Sequence, residues 1–198
     1  MRIISGSAGG IPIAVPKTLL RPTADRVREA VFSMLGVRTE GATVLDLFAG
    51  SGSYGLESLS RGAVSCVFVE SDRVAGPVIA ANLKKAGLTG GTVATVPVES
   101  WLKAKSGQFD LIFADPPFLK QKGDRDWDAV LLASEELAGL IAPGGVFVLE
   151  SFAKSAQPPP PGSPWSCAVE RRYGDVVVRL FLFSPPAPDA AAPGPADL

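Results

Sequence analysis

An apolar run at residues 43–48, TVLDLF, passes straight into a glycine loop, Gly50-Ser51-Gly52-Ser53-Tyr54-Gly55. That junction leaves the chain few folds to adopt. A short β-branched run reads as a buried strand, and G-x-G-x-x-G behind it reads as a tight turn opening a helix. The same alternation recurs downstream. Strands are predicted at 43–48, 65–70, 91–98, 110–114 and 145–151, with helices at 53–61, 72–86, 99–105 and 126–141 between them. Strands alternating with helices of this length specify an α/β fold, Rossmann-like, with a parallel sheet and right-handed crossovers. Asp72 is a suitable N-cap for the helix that ends before Gly87.

The two ends depart from this rhythm. Residues 165–172 and 176–183 are β-rich and separated by Tyr173-Gly174-Asp175, the pattern of a hairpin, so the sheet is expected to finish antiparallel. Residues 2–4 and 11–15 flank Gly6, Gly9 and Gly10 and suggest a second, small β-hairpin. A helix is predicted at 23–35, with Val27, Ala30, Val31, Met34 and Leu35 on its apolar stripe and Arg26 and Arg28 off it. The expected organisation is an N-terminal hairpin extension at 1–20, one domain at 21–183, and a disordered Pro/Ala-rich tail at 184–198.

Composition removes several chemistries. At 198 residues and 46% hydrophobic content the chain can bury a full core, roughly 70% of its unfolded surface. Histidine is absent, which excludes Ser-His-Asp and Cys-His catalysis and His-ligated zinc. With only Cys66 and Cys167, a disulfide scaffold is excluded and no metal site is expected; Cys66 lies in an apolar run and reads as a reduced thiol. No signal-peptide stretch opens the sequence and no run approaches the about 18 apolar residues of a membrane span, so a cytoplasmic protein is expected. The net charge is −1, unevenly spread. Residues 1–40 carry Arg2, Lys17, Arg21, Arg26, Arg28 and Arg38 against Asp25, Glu29 and Glu40; the stretch that follows is acidic.

The glycine loop fits a nucleotide, with a plain tight turn as the alternative. Glu70 closes the second strand, where its carboxylate can accept both hydroxyl hydrogens of an adenosine ribose. NAD and S-adenosylmethionine both satisfy that arrangement. Asp46 separates them in part, because a carboxylate inside an apolar strand is costly without a cationic or donor partner. A pyrophosphate would repel it and the ammonium of S-adenosylmethionine would reward it, while the loop's own amides are the alternative partner. Asp115-Pro116-Pro117-Phe118 follows the fourth strand at the ligand-binding edge of the sheet. Two prolines stiffen the backbone and remove donors, leaving the Asp115 carboxylate and the Pro116 carbonyl as acceptors. Such a pocket suits an exocyclic amine, with Phe118 offering a face for a base to stack on.

The loop DLFAGSGSYGLESLSRGA, Glu70 and DPPF, in this order, resemble the class I S-adenosylmethionine-dependent amino-methyltransferases. More narrowly, MRIISGSAGG, RPTADRVREAVFSML and RRYGD resemble the RsmD family, bacterial enzymes that methylate the N2 amine of one guanine in 16S ribosomal RNA; the resemblance spans about residues 1–183. It implies a seven-stranded sheet with an antiparallel last hairpin. It implies cofactor contacts from Thr23, Asp46, Phe48, Gly50, Ser51, Gly52 and Glu70, and a catalytic set of Asp115, Pro116, Pro117 and Phe118. Arg21 and Pro22 are implied at the cofactor or target. The implied partner is 16S rRNA or the assembling small subunit; a monomer is the default expectation. The sequence departs from the family pattern at Ser7–Pro12, which has no arginine; at Phe118, where tyrosine is commoner; and at Pro97-Val98-Glu99, where an acid or amide near the adenine is usual. Arg21, Arg26, Arg28, Lys120, Lys122 and Arg125 are candidate phosphate contacts. The alternatives are a DNA adenine-N6 methyltransferase, a nonenzymatic RNA-binding assembly protein and, more distantly, a dehydrogenase.

Overall fold

The computed structural model describes residues 1–18, 25–104, 107–117, 123–154 and 156–184. Its elements in chain order are α1 (Asp25–Leu35), a 3-10 turn (Gly36–Thr39), β1 (Thr43–Leu47), α2 (Ser53–Ser60), β2 (Ser65–Val69), α3 (Ala75–Ala86), β3 (Gly91–Ala94), α4 (Val98–Ala104), β4 (Phe109–Ala114), α5 (Trp127–Leu132), α6 (Glu135–Leu140), β5 (Ile141–Phe152), β6 (Trp165–Tyr173) and β7 (Val176–Phe183). The seven strands form one sheet in the order β3-β2-β1-β4-β5-β7-β6. The first five run parallel, and β7 pairs antiparallel with both β5 and β6. Strand order reverses between β1 and β4, so the ends of these strands frame the crevice in which open α/β sheets bind ligands.

Alternation along the strands sorts the core into two layers. Val44, Phe68, Leu111, Phe113 and Val148 pack under α1, α2 and α3. Leu45, Leu47, Ile112, Phe147 and Leu149 pack under α4, α5 and α6. Asp46 shares the parity of Val44, and its hydrogen bond to α2 puts its carboxylate on the first of these faces.

Local chemistry shifts several predicted boundaries. The helix expected over 126–141 is two helices, because Ser134 accepts a hydrogen bond from the Leu137 N–H at 3.1 Å and caps a new start, while Asp126 caps α5 through the Ala129 N–H. The third strand stops at Ala94, and Val98 opens α4 instead, buried against the second layer. Helix α3 begins at Ala75; Asp72 closes the turn before it, accepting from the Val74 N–H at 2.8 Å. Of the helix expected over 23–35, the described part begins at Asp25.

The first fifteen residues form a strap across α2 and α3. The Ile3 N–H donates to the Ile11 carbonyl at 3.0 Å, and Arg2 and Pro12 form a single bridge rather than a strand pair. Glu57 of α2, fully buried, accepts from the Ile4 N–H at 2.7 Å, the Ser5 N–H at 3.1 Å and the Arg61 Nε at 2.7 Å. Gly6 lies so close to the end of α2 that a Cβ there would stand 1.8 Å from the Ser60 carbonyl oxygen. Arg28 is fully buried and lies 3.7 Å from Glu57, also bonding Asp25 and the Arg2 carbonyl. Arg28 is therefore a structural cation and not a phosphate contact, contrary to its placement off the apolar stripe. Its burial is possible because Glu57 compensates its charge. Glu57→Ala would strand the Arg28 guanidinium and two backbone N–H groups; the expected cost is about 3–5 kcal/mol, read as a lowered denaturant midpoint, with Glu57→Gln retaining part of the loss.

Candidate active site

The glycine loop is shaped by positive φ values. Phe48 (58°), Gly50 (54°) and Gly52 (79°) all lie in the left-handed region, a rare and strained state for a phenylalanine. The turn closes with the Gly52 N–H donating to the Ala49 carbonyl at 2.7 Å, after which α2 starts at Ser53. Gly55 is required for another reason. A Cβ there would stand 2.2 Å from the Phe68 ring and 2.5 Å from the Cys66 sulfur, so only glycine lets α2 lie this close to β2.

Asp46 is 2% exposed, and its Oδ2 accepts from the Gly55 N–H at 2.9 Å. Its partner is thus an amide of the helix. Burial pushes the Asp46 pKa well above its ordinary value; the Gly55 N–H opposes this, and the charges of Asp115 and Glu70 add to it. Glu70 stands between two loops, its Oε2 accepting from the Gly50 N–H and its Oε1 from the Asp72 N–H, both at 2.8 Å. Each oxygen has acceptor capacity beyond one such bond. Asp115 is half-buried at the end of β4, Pro116 buried and Pro117 exposed. The structure thus brings Asp46, Glu70 and Asp115 together at the carboxyl ends of β1, β2 and β4, within electrostatic reach of one another. Three carboxylates around one crevice favour a cationic ligand and disfavour a pyrophosphate. Thr23, Arg21, Pro22, Phe118, Lys120 and Lys122 lie outside the described residues.

Neighbouring groups complete the setting. The Phe48 ring meets Trp127 edge-on at 4.8 Å, joining the glycine loop to the helix after DPPF. Arg125 lies over Trp127 and pairs with Glu99. Asn82 of α3 donates to the Ser51 carbonyl at 3.2 Å and pairs with both backbone groups of Ala14, and the Ser51 hydroxyl reaches the Met1 sulfur at 3.4 Å. Tyr54 and Glu150 form a buried pair that the motif reading passed over. The Tyr54 hydroxyl donates to Glu150 Oε2 at 3.0 Å while its ring stacks on Phe113. The available signal was an acid ending an apolar strand: Glu150 in GVFVLES repeats what Asp46 shows in TVLDLF. Among the described residues no group of three His, Cys, Asp or Glu side chains could hold a metal ion.

A seven-stranded sheet reversing between β1 and β4, an antiparallel last strand pair and a carboxylate-lined crevice beside a glycine loop define an enzyme of the class I methyltransferase fold. The chain belongs to the family described as Conserved hypothetical protein 95, whose model matches residues 1–182, in agreement with the resemblance read from its motifs. The chain is 35% identical over 182 residues to the Ribosomal RNA small subunit methyltransferase D of Escherichia coli (strain K12), covering 91% of this chain and 89% of that protein. It is 31% identical to the protein of the same name from Haemophilus influenzae, covering 91% and 93%. Among solved structures it resembles yhhF of Escherichia coli, a candidate methyltransferase, with a TM-score of 0.79 at 34% identity, covering 93% of this chain and 98% of that one.

The buried carboxylate makes the fold pay for the site. Because the Asp46 pKa is raised above the 3.8 of a free side chain, the native state binds more protons than the unfolded one above that value, and stability falls as pH rises through that window. Asp46→Asn keeps the acceptor for Gly55 and removes the charge. Its expected effect is a gain of about 1 kcal/mol at neutral pH, shrinking toward zero as pH falls to the unfolded value, measured by urea unfolding across pH.

Proposed function

We propose that this protein transfers a methyl group from S-adenosylmethionine to the exocyclic N2 amine of a guanine in small-subunit ribosomal RNA. The observation that carries the reading is the convergence of Asp46, Glu70 and Asp115 on one crevice, with the acceptor pair of Asp115 and Pro116 at its target end. The donor set suits the cofactor: Glu70 for ribose hydroxyls, and Asp46 with the Gly50–Gly52 loop for the methionine portion and its ammonium. Phe48 and Ser51 wall that loop, and Thr23 is assigned there from the family resemblance. Bound S-adenosylmethionine supplies a methyl group activated on a positively charged sulfur.

Asp115 and the Pro116 carbonyl accept the two hydrogens of the amine, which aims its lone pair at the methyl and stabilises positive charge as it grows on nitrogen. Asp115 then takes the released proton. Pro116 and Pro117 carry no N–H, so no donor competes for the nitrogen lone pair. Phe118 is assigned to stack on the flipped base. The names of the relatives support ribosomal RNA as substrate. Among exposed cations of the basic N-terminal stretch, Arg2, Lys17 and Arg26 are candidates for its phosphates. No helix among the described residues is long and apolar enough to cross a membrane; we place the enzyme in the cytoplasm, acting as a monomer on naked or partly assembled subunit RNA.

Labelled-methyl transfer to unmodified small-subunit RNA, with nucleoside analysis, tests the reading, and duplex DNA is the control. The expected product is N2-methylguanosine, and N6-methyladenine in the DNA would replace this reading with the alternative. Asp115→Ala should lower turnover about 1000-fold with cofactor affinity within about threefold by calorimetry, whereas Glu70→Ala should weaken the cofactor about tenfold or more. Turnover by Asp115→Ala within about tenfold of the parent would remove Asp115 from its role.

A further inference from the structure

Two carboxylates stand at the target end of the crevice, and the amine needs only one of them. β4 and β5 pair in parallel with Ala114 opposite Leu149. Asp115 follows Ala114 and Glu150 follows Leu149, so the two acids lie on neighbouring chains just where the β4 pairing ends, with β5 running on to Phe152. Both follow the parity of Phe113 and Val148, which face α2. The side chain of Glu150 is 4% exposed and receives the Tyr54 hydroxyl at 3.0 Å. Burial first, and then the charges of Glu150 and Asp115, push the Tyr54 pKa well up, so both acids bear on the same hydroxyl and Tyr54 stays a proton donor. The Tyr54 ring is buried and stacks on Phe113 at 4.9 Å with an interplanar angle of 13°. Tyr54 therefore helps to orient Glu150, a carboxylate whose two oxygens can each accept more than one hydrogen bond.

Purine chemistry makes this pairing selective. Guanine carries its amine next to a ring N1–H, so the edge presented to Asp115 is three adjacent donors. Two go to Asp115 and the Pro116 carbonyl, and the third needs an acceptor beside Asp115 once water is excluded. Adenine and cytosine also carry an exocyclic amine, but the neighbouring ring nitrogen holds a lone pair, which a carboxylate would repel. We propose that Glu150, oriented by Tyr54, accepts the N1–H of the target base and thereby selects guanine over other amino-bearing bases. This rests on the methyl-transfer reading above and adds the residue that sets its base specificity.

The test uses the full chain and small-subunit RNA carrying, at the methylated position found by product mapping, either guanine or 2,6-diaminopurine, which keeps the N2 amine but replaces N1–H with a lone pair. The parent enzyme should prefer guanine by about 100-fold or more in kcat/KM. In Glu150→Gln, whose amide can either accept or donate, guanine should lose about tenfold or more and the preference should collapse to within about tenfold. Tyr54→Phe, which frees the Glu150 rotamer, should reduce the preference severalfold and stands in if Glu150→Gln does not fold. An unchanged preference in the folded variant, whatever happens to the rate, would overturn the proposal and leave Glu150 a structural residue. Equal use of both bases by the parent would overturn it as well. Absence of transfer to either RNA by the parent would be a failure of the methyl-transfer reading itself.

Discussion

The 2.9 Å hydrogen bond from the Gly55 N–H to Asp46 ties the first strand to the first helix beyond the glycine loop, and the geometry of the crevice follows from it. The bond fixes how far α2 stands from β1, and the missing Cβ of Gly55 lets the helix settle on Phe68 and Cys66. Between these two anchors the chain from Leu47 to Gly52 has little freedom, which is how Phe48 comes to adopt a φ of 58°. Strain of this kind persists only where the surrounding contacts over-determine it. The same carboxylate that organises the loop in the resting fold contributes negative charge to the crevice.

Acidic groups are spent here in two distinct ways. Glu57 and Asp128 face buried arginines: Glu57 stands near Arg28 at the strap, and Asp128 accepts from Arg179, which also donates to the Ser151 hydroxyl at the outer strands. Those charges are compensated inside the protein and hold elements together. Asp46 instead meets a neutral amide and two further carboxylates across the crevice. An unbalanced set of acids is unfavourable for folding and useful for a cationic ligand, so the local sign of charge distinguishes scaffold from site even though both involve buried acids.

Much of this architecture was legible in the sequence because it rests on local rules. Strand–glycine–helix junctions announce themselves by composition, so the parallel order, the glycine loop and the positions of Asp46, Glu70 and Asp115 could be read directly. The turn at Tyr173-Gly174-Asp175 likewise marked the antiparallel finish. What escaped depends on partners distant in the chain. Arg28 looks like a surface cation on a helix until Glu57, 29 residues later, appears beneath it. Tyr54 and Glu150 are 96 residues apart and carry no motif that links them. The break at Ser134 was missed for the opposite reason: one hydroxyl capping one N–H outweighs a helical periodicity that runs through it.

The strap across α2 and α3 has a consequence for the order in which the molecule comes together. Its residues precede the groups that hold them, Glu57, Ser60 and Asn82, by some fifty to seventy residues. Until α3 has been synthesised, Ala14 lacks its side-chain clamp and Ser51 lacks the brace that Asn82 gives its carbonyl. The strap cannot dock during that interval, and when it does the Met1 sulfur meets the Ser51 hydroxyl of the glycine loop. Chain entropy is spent late on a long closure, so the strap can dock only once β1, β2 and α3 all exist.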